Sequence, residues 1–233
     1  MHRLTVALAL AAAAFLATAA QSAPIIWWQV DDGPTHYLHD WTMNADGRYF
    51  FEFSERTSSY SIQGVVAVDE DPYIAWGLSV MNSDEDPTTF TTGVINEFFD
   101  PIDGGIVYAS YSGSVTDIGG DGVTLTPTHD KIQRSWLNGG TSMGVDVGDA
   151  YSHGPGVPGA SYVAPPDSEG PKHGPDGLWT SMQLEAEFTL SSMDIATVNG
   201  FARISPIPEP GTLLLLGAGL AGLAAFGLRR RAG

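Results

Sequence analysis

Carboxylates are the most numerous groups in this sequence that could do chemistry, and they occur in short runs. The runs lie at residues 69–71, 84–86 and 117–121. Each falls between segments that we predict to be strands, so loop carboxylates could gather around calcium, which takes about six to eight oxygen ligands. None has the spacing of an EF-hand loop. Solvated turns explain the same residues, so calcium remains an alternative, with candidate ligands Asp69, Asp71, Asp84, Asp86, Asp117 and Asp121.

His36, His39 and Asp40 form a second group of types suited to metal binding or acid–base chemistry. A histidine pair at this spacing shares one side only on a helix, which nearby Pro34 does not favour. The sequence contains no Gly-x-Ser-x-Gly, no His-Glu-x-x-His and no phosphate-binding glycine loop. Any glycosidase pair would be an arbitrary choice among 27 carboxylates. We therefore expect no enzyme, no catalytic residue and no obligatory cofactor.

The tryptophans indicate a different chemistry, because an indole face packs against the apolar face of a sugar while neighbouring carboxylates accept its hydroxyl protons. The candidate glycan contacts are Trp27, Trp28 and Trp41. Trp27 and Trp28 are adjacent, so in a strand they point to opposite sides, and one can be exposed while the other enters the core. Trp136 and Trp179 have the same potential. Core packing is the alternative for each of them.

The charge of the chain limits its partners. Its 233 residues include 27 Asp and Glu against 10 Lys and Arg, a formal net charge of −17. The imbalance is concentrated in residues 24–206, which hold 26 acidic and six basic residues. Such a surface repels phosphate backbones, which excludes nucleic acid and favours a neutral glycan or a divalent cation. There is no cysteine, so disulfides, thiolate metal sites and cysteine nucleophiles are also excluded.

The elements that position these residues are predicted to be short strands. From Met182 to Leu190, apolar and polar residues alternate with the period of two expected for a half-buried strand. Residues 74–80 and 107–115 alternate similarly, with glycine-rich breaks between candidates. The predicted fold is all-β, an antiparallel β-sandwich of jelly-roll-like order. Further candidate strands are Ile25–Val30, Arg48–Phe53, Ser61–Val68, Thr88–Ile95, Val123–Thr126, Thr141–Val147 and Ile195–Ile204.

Two segments are predicted to lie outside the sheets. Asp130 to Leu137 is predicted to form two turns of helix, with Asp130 as the N-cap. His153 to Gly177 contains six Gly and six Pro, a composition that predicts a long mobile loop.

The N-terminal segment has the composition of a secretory signal peptide. Arg3 supplies a positive charge, Val6 to Ala17 form an apolar helical stretch, and small residues follow. This pattern predicts a signal peptide at residues 1–23. The expected partners are the secretion translocon and signal peptidase.

The C-terminal segment has the composition of a membrane anchor. Residues 211–228 are apolar, and as a helix of about 27 Å they predict one transmembrane helix in contact with membrane lipid. The arginines that follow favour the cytoplasmic side, so the preceding domain lies outside the cytoplasm. The predicted domains are the signal peptide 1–23, the acidic β-sandwich 24–206 and the tail 207–233.

The tail resembles the PEP-CTERM sorting segment of exported bacterial proteins, in which a Pro-Glu-Pro signature precedes a membrane helix and a basic cluster. The signature is Pro208, Glu209 and Pro210, and the cluster is Arg229, Arg230 and Arg231. The resemblance implies that an exosortase-type membrane protease recognises and cuts the tail, so that the mature protein is released or attached at the surface. The same segment type is also labelled ice-binding protein C-terminal domain, which implies no activity here.

A looser likeness to other PEP-CTERM proteins extends upstream. It consists of a strand that ends in Asn82, an acidic loop, a Thr-rich strand and a late stretch carrying Ser191, Asp194 and Gly200. These residues are expected to be architectural. Asp194 is expected to fix a turn, and Gly200 a bulge or a close approach.

These patterns predict an exported protein, anchored in the inner membrane with its domain outside the cytoplasm and then moved to the cell surface or beyond. We expect a non-catalytic structural or adhesive role in the envelope or extracellular matrix, with exopolysaccharide as a partner. A carbohydrate-binding module is the alternative. A secreted hydrolase is the third hypothesis, and it would need polar residues that converge in a pocket.

Overall fold

The computed structural model describes residues 23–45, 47–69, 72–207 and 218. The predicted signal peptide (apart from Ala23), the Pro-Glu-Pro signature, the predicted transmembrane helix (apart from Ala218) and the arginine cluster lie outside these residues. Within the described ranges, no helix has both the length and the apolar character needed to cross a membrane.

Fifteen strands make up most of the described chain. They are β1 (Ile25–Val30), β2 (His36–Leu38), β3 (Thr42–Met43), β4 (Tyr49–Arg56), β5 (Tyr60–Asp69), β6 (Tyr73–Asn82), β7 (Thr88–Asp103), β8 (Ile106–Asp117), β9 (Val123–Pro127), β10 (Gln133–Leu137), β11 (Thr141–Ser142), β12 (Tyr151–His153), β13 (Ala160–His173), β14 (Leu178–Leu190) and β15 (Asp194–Ser205).

The strands form two antiparallel sheets. Sheet A has eight strands, with the continuous order β11-β10-β14-β7-β1-β2; β9 pairs with β14 and carries β12. Sheet B has seven strands in the order β13-β8-β15-β6-β5-β4-β3. The predicted all-β antiparallel sandwich is therefore confirmed.

One hydrophobic core fills the space between the sheets. In β14 the alternate residues from Met182 to Leu190 are buried, and the polar residues between them face outward. In β6, Ile74, Trp76 and Leu78 point inward in the same way. Each large side chain removed from water contributes about 1.5–3 kcal/mol, so the alternation that marks a strand also supplies its stability.

The helix predicted from Asp130 to Leu137 is wrong, because Gln133–Leu137 forms β10, which pairs with β14. Its inward positions include Gln133 and Ser135, whose polar side chains hide the apolar alternation. Gln133 is nevertheless satisfied in the core. It accepts a hydrogen bond from Trp76 Nε1 at 2.8 Å and donates one to the carbonyl of Phe201 at 3.0 Å.

The loop predicted from His153 to Gly177 is also wrong, because β12 ends at His153 and most of the segment is the 14-residue strand β13. β13 is the edge strand of sheet B, so its prolines cost fewer ladder hydrogen bonds. Its register with β8 shifts between Ala164 and Asp167 and between Glu169 and Lys172, where the prolines lie. The strand predicted from Thr141 to Val147 is shorter, with β11 limited to Thr141–Ser142 and an isolated bridge at Val147.

Residues of the late Ser-Asp-Gly stretch hold the ends of β14 and β15. Asp194 accepts hydrogen bonds from the Ser191 hydroxyl at 2.5 Å and from the Ile118 N–H at 3.3 Å, which fixes the intervening turn. Gly200 is a close approach, since a Cβ there would lie 2.1 Å from Gln133 Oε1. The adjacent Asn82 donates to the carbonyls of Asp86 and Ser191.

Candidate functional site

The outer face of sheet A carries one continuous register row across five strands. Trp27 on β1 lies opposite Tyr37 on β2 and opposite Gly93 on β7. Gly93 lies opposite Glu185 on β14, and Glu185 lies opposite Arg134 on β10. Directly paired residues of antiparallel strands point to the same side. We call these five residues the central row.

The indole of Trp27 occupies the space directly above Gly93. A Cβ at Gly93 would lie 2.2 Å from Trp27 Cε2 and 2.3 Å from its Nε1, so only glycine leaves room for the ring in this position. Among the described residues no other aromatic ring stacks on Trp27. The ring therefore packs against the backbone of β7 at a half-buried position, next to Glu185 in the central row.

Arg134 is the last residue of the central row, and several contacts hold its guanidinium group in place. Its Nη2 lies 2.6 Å from Glu185 Oε1 and 3.5 Å from Glu187 Oε2. The guanidinium carbon also lies 5.0 Å from the ring centroid of Trp136, two residues along the same strand. Glu187 has a second partner, His129, at 3.2 Å. These contacts hold the guanidinium group of Arg134, a hydrogen-bond donor, beside the carboxylate of Glu185, an acceptor, on the outer face of sheet A.

A polar cleft of about 360 Å³ adjoins the central row. It follows the next register row, in which Gln29 pairs with Thr91 and Thr91 pairs with Glu187. Its lining offers hydroxyl, amide and carboxylate groups. The lining residues are Gln29, Asp31, Asp32, Thr89, Thr91, Thr128 and Glu187.

The three predicted glycan contacts do not share one surface. Trp27 and Trp28 point to opposite sides of β1, as predicted, with Trp27 half-buried on the outer face and Trp28 buried. Trp28 stacks between Phe53 and His36, with ring centroids at 4.5 and 5.1 Å. Trp41 is exposed beside β3 of sheet B, with its ring edge on Tyr49. Trp27 alone of the three contributes to the central row.

Trp28 belongs instead to a structural cluster around Glu55. Its Nε1 donates to Glu55 at 3.0 Å, and the Tyr60 hydroxyl donates to the same carboxylate at 2.8 Å. Burial raises the pKa of Glu55, but these hydrogen bonds and the nearby His36 outweigh it and lower the pKa below its usual value. Burial and Glu55 raise the pKa of Tyr60 to about 12. His36 thus packs in this cluster, and His39 follows β2 in a loop.

The candidate calcium ligand Asp117 is buried and satisfied by its own loop. Its carboxylate accepts backbone N–H groups of Gly120 at 2.5 Å and Gly122 at 2.9 Å. Asp121 lies exposed in the same loop. This pattern is that of a carboxylate that shapes a turn.

The other candidate calcium ligands are similarly occupied or apart. Asp69 pairs with Arg48 at 2.7 Å, and Asp84 accepts a hydrogen bond from the N–H of the next residue. Asp86 is exposed, and Asp71 lies outside the described residues. Within the residues that the structure describes, no three His, Asp or Glu side chains are grouped so that they could hold a metal ion. Calcium binding stays a prediction.

Sequence reasoning did not single out Tyr37, Gly93, Arg134 or Glu185 as site residues. Arg134 and Trp136 alternate with buried residues in β10, a signal that the polar inward positions obscured. The outward position of Glu185 in β14 was evident from the alternation, but its neighbours depend on register. No local pattern marks Gly93 as the seat of a ring from another strand.

Comparison with known proteins adds a sorting assignment. Residues 206–231 match the family model of the PEP-CTERM protein-sorting motif, which confirms the likeness seen in the tail. The motif implies an exported protein that is anchored in the membrane and processed by an exosortase. No curated protein matches the chain.

Two solved structures are similar in part. One is TmCBM61 in complex with β-1,4-galactotriose, with 9% identity and a TM-score of 0.30 over 67% of this chain and 88% of that one. The other is the infectious bursal disease virus Gt strain, with 13% identity and a TM-score of 0.13 over 89% of this chain and 72% of that one.

Proposed function

We propose that this protein is an exported, exosortase-processed surface or matrix component without catalytic activity, which adheres by binding carbohydrate on the outer face of sheet A. The observation that carries the proposal is the half-buried indole of Trp27 over Gly93, beside the Glu185–Arg134 pair. A flat aromatic face next to a fixed acceptor and donor suits a sugar ring, whose C–H face is apolar and whose edge carries hydroxyls.

The charges of the face favour adhesion over catalysis. Arg134 contacts both Glu185 and Glu187, so these carboxylates are held in ion pairs. A glycosidase needs one carboxyl group protonated and a second free to attack the sugar or activate water. Paired carboxylates that accept sugar hydroxyls instead serve binding. The acidic excess of the domain further favours a neutral glycan over an anionic one.

In our proposal the domain binds carbohydrate outside the cytoplasm, and the sorting motif supports the export that this requires. The tail holds the domain at the inner membrane until the exosortase acts, and the processed domain then meets exopolysaccharide at the surface or in the matrix. The domain is suited to separation from the tail, because all fifteen strands end by Ser205, before the Pro-Glu-Pro signature.

A glycan array with residues 24–207 tests the binding. We expect the wild-type domain to bind neutral polysaccharides, the Trp27→Ala variant to lose this binding and the Trp41→Ala variant to keep it. Trp41 is the matched control, because it is an exposed tryptophan outside the central row. An array without a signal for the folded wild-type domain would contradict carbohydrate binding.

Intact mass spectrometry of the protein from its native cells tests the processing. We expect a mature chain that lacks both the signal peptide and the tail. A Glu209→Ala variant should retain its tail in the membrane fraction. A soluble, uncut wild-type chain in the cytosol would contradict export.

A further inference from the structure

We infer that the bound carbohydrate is a neutral, unbranched chain of pyranose sugars that lies across the strands, along the central row, and that Arg134 and Glu185 determine which sugar is accepted beside Trp27. This inference rests on the proposed function and names the ligand class and its direction on the same face. The structure supplies three separate arguments for it.

The first argument is the spacing of the row. The Trp27 ring lies over β7, Glu185 stands on β14 and Arg134 on β10, and these three strands are consecutive in sheet A. Neighbouring strands lie about 4.8 Å apart, so the three positions extend over about 10 Å. One pyranose unit of an extended chain has a length close to one strand spacing. A sugar on the Trp27 ring and the sugars that follow it toward β10 can therefore lie along the row, with the Glu185–Arg134 contact beside them.

The second argument favours the direction across the strands over the direction along β1. The outward neighbours of Trp27 on its own strand are Ile25 and Gln29. Ile25 has no polar side-chain group for a sugar hydroxyl. The Gln29 side-chain amide already donates to the carbonyl of Gly33 at 2.9 Å. A chain that followed β1 would pass Gln29 into the polar cleft and would not reach the Glu185–Arg134 pair.

The third argument concerns selectivity. Arg134 presents donors and Glu185 presents acceptors, and the 2.6 Å contact between them holds the two groups side by side. Two adjacent sugar hydroxyls can accept from one and donate to the other. The guanidinium plane over Trp136 restricts the direction of the donors, which the flexible ammonium of lysine would not reproduce. The Arg134–Glu185 pair therefore selects sugars by the relative position of two adjacent hydroxyl groups.

The charge of the face supports a neutral ligand. Arg134 compensates Glu185, and Arg134 with His129 contacts Glu187, so the polar groups beside the ring are paired. An anionic chain would meet the acidic excess of the domain. We therefore expect neutral oligosaccharides to bind more tightly than anionic or cationic ones of equal length.

Isothermal titration of residues 24–207 tests the inference with neutral β-1,4-linked gluco- and galacto-oligosaccharides of one to six units. Oligogalacturonate and oligoglucosamine are the charged counterparts. In the better-binding neutral series, affinity should rise at least about tenfold from one unit to three and change little beyond. A plateau at one unit, or tighter binding of a charged series, would overturn the inference.

Variants separate the two directions. Arg134→Lys and Glu185→Gln should each weaken trisaccharide binding about tenfold. Gln29→Ala is the matched control on the same face and should bind like the wild type. Loss of affinity in Gln29→Ala, with Arg134→Lys and Glu185→Gln unaffected, would place the chain along β1 and overturn the inference.

The failure of this inference is distinct from the failure of the proposed function. If the wild-type domain binds no probe in the titrations and no glycan on the array, carbohydrate binding itself is contradicted. If it binds but shows neither length dependence nor sensitivity at Arg134 and Glu185, only the direction and the selectivity are wrong. The length series needs no variant, so it stays decisive if a substitution impairs folding.

Discussion

The outer faces of the two sheets contain similar residues in different arrangements. On sheet B, Phe201 packs its ring against Tyr73 and Tyr108, with centroids at 5.7 and 5.3 Å, and Arg203 lies over Tyr108. On sheet A, Trp27 lies over a glycine. In sheet B the aromatic residues pack against one another, whereas in sheet A the ring packs on the backbone of a neighbouring strand, and we propose that its other face binds the ligand.

In our proposal, aromatic content alone does not make a binding surface. What matters is the residue on the adjacent strand at the same register position. An aromatic ring beside another ring forms a packed cluster, as around Phe201, whereas a ring over glycine, such as that of Trp27, packs only against the backbone. The sheets also differ in charge pairing, since Arg134 on sheet A contacts two carboxylates while Arg203 makes no ion pair with any described residue.

The largest expected effect lies between the two faces, at Gly200. In a Gly200→Ala variant the new Cβ would lie 2.1 Å from Gln133 Oε1 and 2.8 Å from Trp76 Nε1. The methyl group would break the buried hydrogen bond between these side chains, at a cost of about 3 kcal/mol in the free energy of unfolding. Denaturant unfolding measures this loss.

Gly140 provides the matched control for this substitution. A Cβ there meets nothing within 4 Å, so Gly140→Ala should change the free energy of unfolding by less than about 0.5 kcal/mol. Equal stability of the two variants would show that the core tolerates a methyl group at Gly200, and the close approach would then have no energetic role.

The second prediction compares the two faces directly. Trp27→Ala should weaken glycan binding about thirtyfold, which corresponds to about 2 kcal/mol, because the stacking surface is removed. Phe201→Ala should lower the free energy of unfolding by about 1–2 kcal/mol through the loss of its ring contacts and leave the affinity unchanged. Titration and denaturant unfolding of both variants are needed. Weaker binding in Phe201→Ala would mean that sheet B contributes to the site.

The third prediction tests whether Gly93 is needed to hold the Trp27 indole against the sheet. Gly93→Ala should displace the Trp27 indole from the sheet and weaken binding about tenfold, although every group that contacts the sugar is retained. Gly77→Ala is the equivalent change on sheet B, where the Cβ would meet the movable side chain of Asn199 at 2.8 Å. Gly77→Ala should bind like the wild type. Unchanged binding in Gly93→Ala would show that the flat position of the ring is dispensable.

The sequence predicted the sandwich well where both faces of a strand follow the alternation. In β14 and β6 the inward residues are apolar, so the period of two is visible without any partner. In β10 it fails, because Gln133 and Ser135 point inward. In β13 the prolines suggested a loop, yet an edge strand accommodates them at two register shifts. Local patterns identify strands, but they do not show which buried polar groups a neighbouring strand will satisfy.

The candidate site was less predictable, since its residues come together only through register. The opposite directions of Trp27 and Trp28 follow from the geometry of any strand, and that prediction is confirmed. The pairing of Trp27 with Gly93, and of Glu185 with Arg134, joins strands far apart in the chain. The register between β1 and β7 decides whether the Trp27 ring lies over glycine or over a bulky residue, and a shift of one residue would change this neighbour. No local pattern in the sequence specifies that register.

The smallest expected effect is on the pH dependence of stability, and it concerns the buried Asp194, which the charged pairs on the outer face of sheet A do not contact. Burial raises the pKa of Asp194, and the neighbouring Asp117 and Asp121 raise it further, against hydrogen bonds from Ser191 and Ile118. Because the folded-state pKa lies above the unfolded value, the folded state binds more protons between the two values, and this group's contribution to stability falls as pH rises through that window.

Asp194→Asn has no such titration. The melting temperature of the variant minus that of the wild type should therefore increase by a few degrees from acidic to neutral pH. Glycan binding should not differ between the two proteins at either pH, because Asp194 is buried at the start of β15 on sheet B, outside the central row. A difference in melting temperature that is constant with pH would show that Asp194 does not experience the burial that the fold imposes on it.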